Sequence, residues 1–237
     1  MTPMITCSNY IDGRWVPIND GAIESFNPAT GEPVGTAPNA SREEILEAIN
    51  AARHAFENST WAEDSQLRTR VLNDYAAALR NHMGELGKLL TDENGKILHD
   101  ATYEVDRGAG IVEYYAGLAQ NVMGKTSMPF PDYFSFVLRE PIGVIAVIVP
   151  FNFPVVLMLR SLAPALAAGN AVIIKPASYT PAISYELFKI LSEIEGIPPG
   201  IVSLVSGTGS VVGAELCTHP EVDMIALTGS SETGKQV

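Results

Sequence analysis

The sequence predicts an α/β fold: a Rossmann-like parallel sheet with helices on both faces, preceded by an N-terminal helical segment and carrying a protruding β arm. Three observations predict it. From residue 142 onward, short runs of Val, Ile and Leu alternate with helical patterns. Uniformly apolar strands joined by helical crossovers imply a parallel sheet covered on both faces. Upstream, residues 41–120 repeat apolar side chains at three- and four-residue spacing, the mark of amphipathic helices. Between the two lies a short alternating stretch rich in aromatics. The chain thus divides into N-terminal strands and helices (1–122), an arm (123–141) and a Rossmann-like core (142–237).

The elements follow in order. SFNPATGEP, from Ser25 to Pro33, is turn chemistry: Asn-Pro, then Thr-Gly. Ser41 with Glu44 forms a capping box, opening a helix whose inward face is Ile45, Ile49, Ala52 and Phe56. A second helix starts near Asp64 or Ser65, striped by Leu67, Val71, Tyr75, Leu79, Leu86 and Leu90, and ENGK stops it at Gly95. A third spans 101–120 with Ile111, Tyr114, Tyr115 and Leu118 inward. Alternation through Phe134, Phe136 and Leu138 suggests an exposed hairpin-like strand, ended near Pro141. An edge carrying Phe130, Tyr133, Phe134 and Phe136 invites aggregation unless covered, so a partner subunit is expected on residues 123–141.

Then come the strand VIAVIV, the helix PVVLMLRSLAPALAAG closed by Gly169, and the strand AVIIKPA. The helix TPAISYELFKILSEIEG follows, with Thr180 as N-cap, Pro181 at its first position and Gly196 at the stop. A strand IVSLVSG, a helix SVVGAELCTHP and a strand MIALTGS complete the series.

Composition narrows the function. The 237 residues, 46% hydrophobic and 18% charged, suffice for one large or two small domains with a substantial core. A net charge of −12 without a basic run excludes a nucleic-acid partner, which needs a cationic face. Pro150 and Pro154 break the longest apolar run, so no membrane span is expected. The N-terminal residues lack the pattern of a signal peptide, and a cytoplasmic setting is expected. Cys7 and Cys217 lie far apart, and His54, His82, His99 and His219 are isolated, so no metal site is expected.

Ligands of open parallel sheets bind outside the carboxyl ends of the strands. The residues just past each strand are therefore the candidates: 150–152, 175–178, 207–213 and 228–230. This rim is polar, Gly-rich and Lys-bearing, as a nucleotide requires. GTGSVVG carries Gly207, Gly209 and Gly213, but the spacing misses G-x-G-x-x-G because Val212 fills the last position. It is either a strand-to-helix turn or a looser phosphate loop. Lys175 is either a snorkelling lysine or a fixed charge at the ligand rim. Asn152 either caps the following helix or donates its amide to an oxyanion. Arg160, farther along that helix, is either a surface ion-pair residue or a carboxylate anchor.

PFNFP, APALAAGNAVIIKPASYTP and LTGSSETGK, with YIDGRWV, FNPATGEPVG and DENGK upstream, resemble the NAD(P)-dependent aldehyde dehydrogenase superfamily along nearly the whole chain. The resemblance implies a nicotinamide dinucleotide cofactor and a small-molecule aldehyde substrate. Asn152 matches the family's oxyanion-hole asparagine. Val149, Pro150 and Phe151 match the nicotinamide side, and Lys175 the ribose-binding lysine. Gly209 and Gly213 match the glycines beside the adenine. Thr228, Gly229 and Ser230 match the turn near nicotinamide and pyrophosphate. The family reaction uses a cysteine thiolate, hydride transfer and a glutamate-activated water. Neither Cys7 nor Cys217 matches the nucleophile, so the sequence is expected to be the cofactor-binding N-terminal half of a homo-oligomeric enzyme and inactive alone. Ser178 stands where the family commonly has a ribose-binding Glu, which implies tolerance of NADP as well as NAD. The alternative is a non-catalytic nucleotide-binding or assembly module on the same fold.

Overall fold

The computed structural model describes residues 4–18 and 21–237. Its centre is a six-stranded sheet. The strands of the described residues, in all three sheets, are β1 (Ile5–Thr6), β2 (Asn9–Ile11), β3 (Arg14–Val16), β4 (Ala22–Phe26), β5 (Pro33–Pro38), β6 (Lys125–Phe130), β7 (Tyr133–Val137), β8 (Val144–Ile148), β9 (Ala171–Lys175), β10 (Val202–Leu204) and β11 (Met224–Leu227). The central order is β11-β8-β9-β10-β2-β3. The first four of these run parallel, with Ile148 paired to both Lys175 and Leu227. The antiparallel pair β2–β3 extends the sheet beyond β10. A separate three-stranded sheet, β1-β5-β4, and the two-stranded arm β6-β7 complete the β structure.

The helices are α1 (Arg42–Asn58), α2 (Ser65–Asn81), α3 (Met83–Asn94), α4 (Leu98–Leu118), α5 (Pro154–Ala167), α6 (Pro181–Ser192), α7 (Ala214–Thr218) and α8 (Ser231–Gln236). Helix α1 lies against β8, β9 and β10, with α7 beside it, while α5 lies on β8 and β9 with α4 behind it. Both faces of β8 and β9 are thereby covered, and their side chains are buried except for Ile148, which is only partly so. One contiguous apolar core runs from Cys7 and Ile11 through α1–α4 to Leu216.

The capping box of α1 is present, with Ile45, Ile49 and Ala52 buried as expected, and Gly95 adopts φ 80° at the end of α3. Three expectations are corrected. The second predicted helix is two, α2 and α3, which meet at His82. The apolar stripe continues through Leu86 and Leu90, so periodicity alone does not reveal the break. Helix α4 buries Ala101, Val105, Gly108, Ala109, Val112 and Ala116, whereas Tyr114 is 64% exposed and Leu118 39%. At Gly108 the seam with α5 leaves no room for a side chain: a Cβ there would lie 2.6 Å from Leu159 Cδ1. The helix predicted after β10 begins instead as a π-helical turn, Gly209–Gly213, and only then becomes α7. The arm is a hairpin with Phe130, Tyr133, Phe134 and Phe136 all exposed.

Candidate functional site

The β8–α5–β9 and β9–α6–β10 crossovers step to one side of β8, and the chain then crosses to place β11 on the other side. The carboxyl end of β8 is therefore the topological switch point, where an open sheet leaves a crevice for a ligand. Asn152 and Thr228 follow the two strands that flank it.

The loop after β8 is held from outside. Val149 is buried, and its N–H donates to the Lys175 carbonyl at 3.1 Å. Pro150 follows, half-buried, and Phe151 is exposed. The Asn94 side-chain amide donates to the Phe151 carbonyl at 2.7 Å, and Lys96 Nζ donates to the Asn152 carbonyl at 3.1 Å. Lys96 also pairs with buried Glu104 and lies 3.8 Å from the centroid of the Phe153 ring. Glu104 Oε1 accepts from the Val155 and Val156 N–H groups at 3.0 and 3.1 Å. A carboxylate there satisfies two orphan donors and meets the positive end of the helix dipole. Asn152 accordingly does not cap α5, and its side-chain amide makes no hydrogen bond to any described residue. Its donors remain available at the rim.

The same device recurs at α6. Thr180 occupies the N-cap position but makes no capping bond, and its buried Oγ1 has no partner among the described residues. That corrects the expected threonine cap. Glu93 supplies the acceptors: Oε1 to Ala182 N–H at 2.8 Å, Oε2 to Ile183 N–H at 2.9 Å, and Oε1 also takes the Ser25 hydroxyl at 2.6 Å. Burial raises the Glu93 pKa to about 7, against the lowering by these hydrogen bonds. Sequence reasoning missed Glu93, Asn94, Lys96 and Glu104. The DENGK string holds the first three, but it was read as a helix stop and a family motif, and Glu104 had no local signal.

Beyond β9, Lys175 is 4% exposed, and loss of hydration lowers its pKa to about 8. Its ammonium donates to the Pro176 carbonyl at 2.8 Å, its one hydrogen bond among the described residues. An ammonium has three protons to donate, so this buried group is under-satisfied and fits a hydroxyl- or phosphate-bearing ligand. Ser178 Oγ donates to the Gly207 carbonyl at 3.3 Å, which ties this loop to the turn after β10. A Cβ on Gly213 would lie 4.0 Å from Lys175 Cδ, whereas Gly209 faces open space. Exposed Phe151 and Tyr179 stand edge to face at 5.7 Å between their centroids. Lys175, Ser178 and Gly213 thus gather on one wall with the turn that begins at Gly209.

On the other flank, the Thr228 N–H donates to the Ile148 carbonyl at 3.3 Å, Gly229 is exposed, and Ser230 Oγ caps α8 by accepting from the Thr233 N–H at 3.1 Å. Arg160 Nη2 donates to Thr228 Oγ1 at 3.4 Å, so this arginine reaches the rim of the crevice. The cysteines do not. Cys7 is a core residue whose thiol is pushed up by burial, and burial also raises that of Cys217 on α7.

The sequence profile of the aldehyde dehydrogenase family matches residues 15–237. This chain belongs to the aldehyde dehydrogenase family. It is 39% identical to betaine aldehyde dehydrogenase of Bacillus subtilis (strain 168) over 231 residues, covering 96% of this chain and 47% of that protein. Against peroxisomal aminoaldehyde dehydrogenase 1 of Pisum sativum the identity is 40% over 237 residues, with the same coverages of 96% and 47%. A crystal structure of a Staphylococcus aureus betaine aldehyde dehydrogenase point mutant with NAD+ superposes with a TM-score of 0.94 at 34% identity, covering 98% of this chain and 48% of that one. An NADP-dependent enzyme of E. coli superposes with a TM-score of 0.93 at 34% identity, over 98% and 48%. The chain spans about half the length of the curated relatives it matches.

Proposed function

We propose that this chain forms the cofactor wall and oxyanion contact of an enzyme that oxidises an aldehyde to a carboxylic acid with a nicotinamide dinucleotide. The observation that carries the reading is the Asn152 loop. It sits at the switch point, fixed through its backbone by Asn94 and Lys96, with the Asn152 amide unspent. A pre-positioned amide stabilises negative charge that develops on a carbonyl oxygen without reorganising when the reaction occurs. The bound nicotinamide would accept the hydride. Lys175, Ser178 and Gly209–Gly213 would hold the adenosine part, and Val149, Pro150, Phe151, Thr228, Gly229 and Ser230 the nicotinamide and pyrophosphate. A nucleophilic thiolate is still required, and neither Cys7 nor Cys217 lies where it could serve. The 237 residues by themselves are therefore expected to be inactive.

Ser178 bears on the choice of dinucleotide. A carboxylate at this position would repel a 2′-phosphate, whereas the neutral Ser178 hydroxyl removes that repulsion and leaves the Lys175 ammonium to pair with the phosphate. We read NADP as accepted alongside NAD. The exposed hairpin 125–137 supports the further reading that the enzyme is a homo-oligomer, with a second subunit covering its aromatics.

The deciding experiment is steady-state oxidation of simple aldehydes by the full-length protein, with NAD and with NADP. Asn152→Ala is expected to lower kcat about 10²- to 10³-fold, with KM for the dinucleotide little changed. Dinucleotide binding without turnover would instead favour a non-catalytic nucleotide-binding module. A strong NAD preference that Ser178→Glu leaves unaltered would refute the NADP reading.

A further inference from the structure

A groove of about 430 Å³ opens between α3 and α6 and shares no residue with the crevice at β8. Its floor is apolar: Leu86, Leu89 and Ile190 are buried and Ile5 is half-buried. Its rim is charged on both sides, by His82, Glu85 and Lys88 along α3 and by Glu186, Lys189 and Glu193 along α6. Most of these groups answer one another within their own helix. Glu85 Oε2 lies 3.2 Å from His82 Nδ1, and Glu186 Oε2 lies 3.8 Å from Lys189 Nζ. Lys88 and Glu193 are left without an ion pair among the described residues. The groove thus offers one uncommitted cation and one uncommitted anion, on opposite walls, over an apolar floor.

Their spacing follows from the packing. Glu93, near the end of α3, bonds the Ala182 and Ile183 N–H groups at the start of α6. In the groove, early residues of α3 meet late residues of α6, so the two helices run antiparallel. Each step back along α3 therefore matches about one step forward along α6. Lys88, five residues before Glu93, falls level with 187–188, and Glu193 lies five to six residues farther on. At roughly 1.5 Å per residue, the two charges stand about 8 Å apart along the groove. A ligand that meets both must be elongated, anionic at one end, cationic at the other and apolar between. Its middle buries against Leu86, Leu89 and Ile190, and its ends complement Lys88 and Glu193.

We infer that this groove binds an ω-amino carboxylate lengthwise, with the ligand's carboxylate on Lys88 and its ammonium on Glu193. The inference does not depend on the aldehyde-oxidising reading of the crevice, because its test measures binding and not turnover. The probe is 6-aminohexanoate, whose extended chain spans a similar distance, titrated into the full-length protein by calorimetry. Hexanoate and hexylamine, which each carry one of its charges, are the controls. The zwitterion is expected to bind about three- to fivefold more tightly than either control, the range of an exposed ion pair. Lys88→Glu should abolish that advantage. Lys88→Glu/Glu193→Lys should restore it, because the ligand then lies reversed over the same floor. Both side chains are exposed, so these variants are expected to keep the fold. A control that binds as tightly as the zwitterion, or a double variant that fails to restore the advantage, overturns the inference. So does an absence of binding; subunit association that Lys88→Glu breaks would then assign the groove to another copy of the chain.

Discussion

Helix α1 is started by its own neighbours, whereas α5 and α6 are started by carboxylates far away in the chain. At α1 the Ser41 hydroxyl accepts from the Glu44 N–H and the Glu44 side chain returns to the Ser41 N–H, within three residues. At α5 the acceptor is Glu104, 51 and 52 residues from the donors; at α6 it is Glu93, 89 and 90 residues away. The difference has a functional logic. A local cap uses up the polar side chain at the start of the helix. A remote cap removes that demand: the N-cap of α5 is Phe153, which has no side-chain acceptor, and Asn152 just before it keeps its amide free. The remote carboxylates also pin α3 and α4 to the helices that carry the rim. Stability and site geometry are thus supplied by the same contacts.

Breaking the two kinds of cap should give effects of different size. Glu104→Ala strands the half-buried Lys96 ammonium and two helix N–H groups, so a loss of about 3–5 kcal/mol is expected in denaturant unfolding. Activity should fall further than stability alone explains, because Lys96 also holds the Asn152 carbonyl. Glu93→Ala removes the acceptor for two backbone donors and the Ser25 hydroxyl, with an expected cost of about 2–4 kcal/mol. Ser41→Ala removes one exposed local cap and should cost about 1 kcal/mol. A Ser41→Ala effect as large as that of Glu104→Ala would erase the distinction drawn between them.

The remote cap at α6 also titrates, which the Ser41 hydroxyl does not. The Glu93 pKa rises from 4.5 to about 7 on folding, because burial outweighs its hydrogen bonds. Between these values the folded state binds the proton more tightly than the unfolded chain. The Glu93 contribution to stability is therefore fully present below pH 4.5 and is lost as pH rises through about 7. Comparing the pH dependence of unfolding for wild type and Glu93→Gln isolates this slope, which the Gln variant should lack. An unchanged slope would mean that Glu93 is ionised throughout, held so by its three donors.

Local signals are read easily and seam geometry is not. The Ser41 box, the Gly95 stop and the apolar strands β8 and β9 depend on residues close in sequence, and each is found where periodicity and turn chemistry place it. The inward face of α4 is misread because large apolar residues were assumed to point inward. Close helix contact instead selects Gly108 and alanines and leaves Tyr114 outside. Within the site, strand ends located the rim, so Asn152, Lys175, Ser178 and Thr228 were legible as positions. The groups that hold them were not, since Asn94, Lys96 and Glu104 lie on another helix or at its end.

The sequence by itself determined the parallel sheet, the rim at its strand ends and, through long ordered motifs, the family. Those features follow from periodicity of burial and from residues adjacent along the chain. Only the tertiary structure decided that, among the described residues, Asn152 keeps its amide unspent and Lys175 is buried with two donors unmet, and that Arg107 and Arg160 share a cleft. Each of these depends on which remote group fills or leaves open a hydrogen-bonding position, and that is fixed when α3, α4 and α5 pack together.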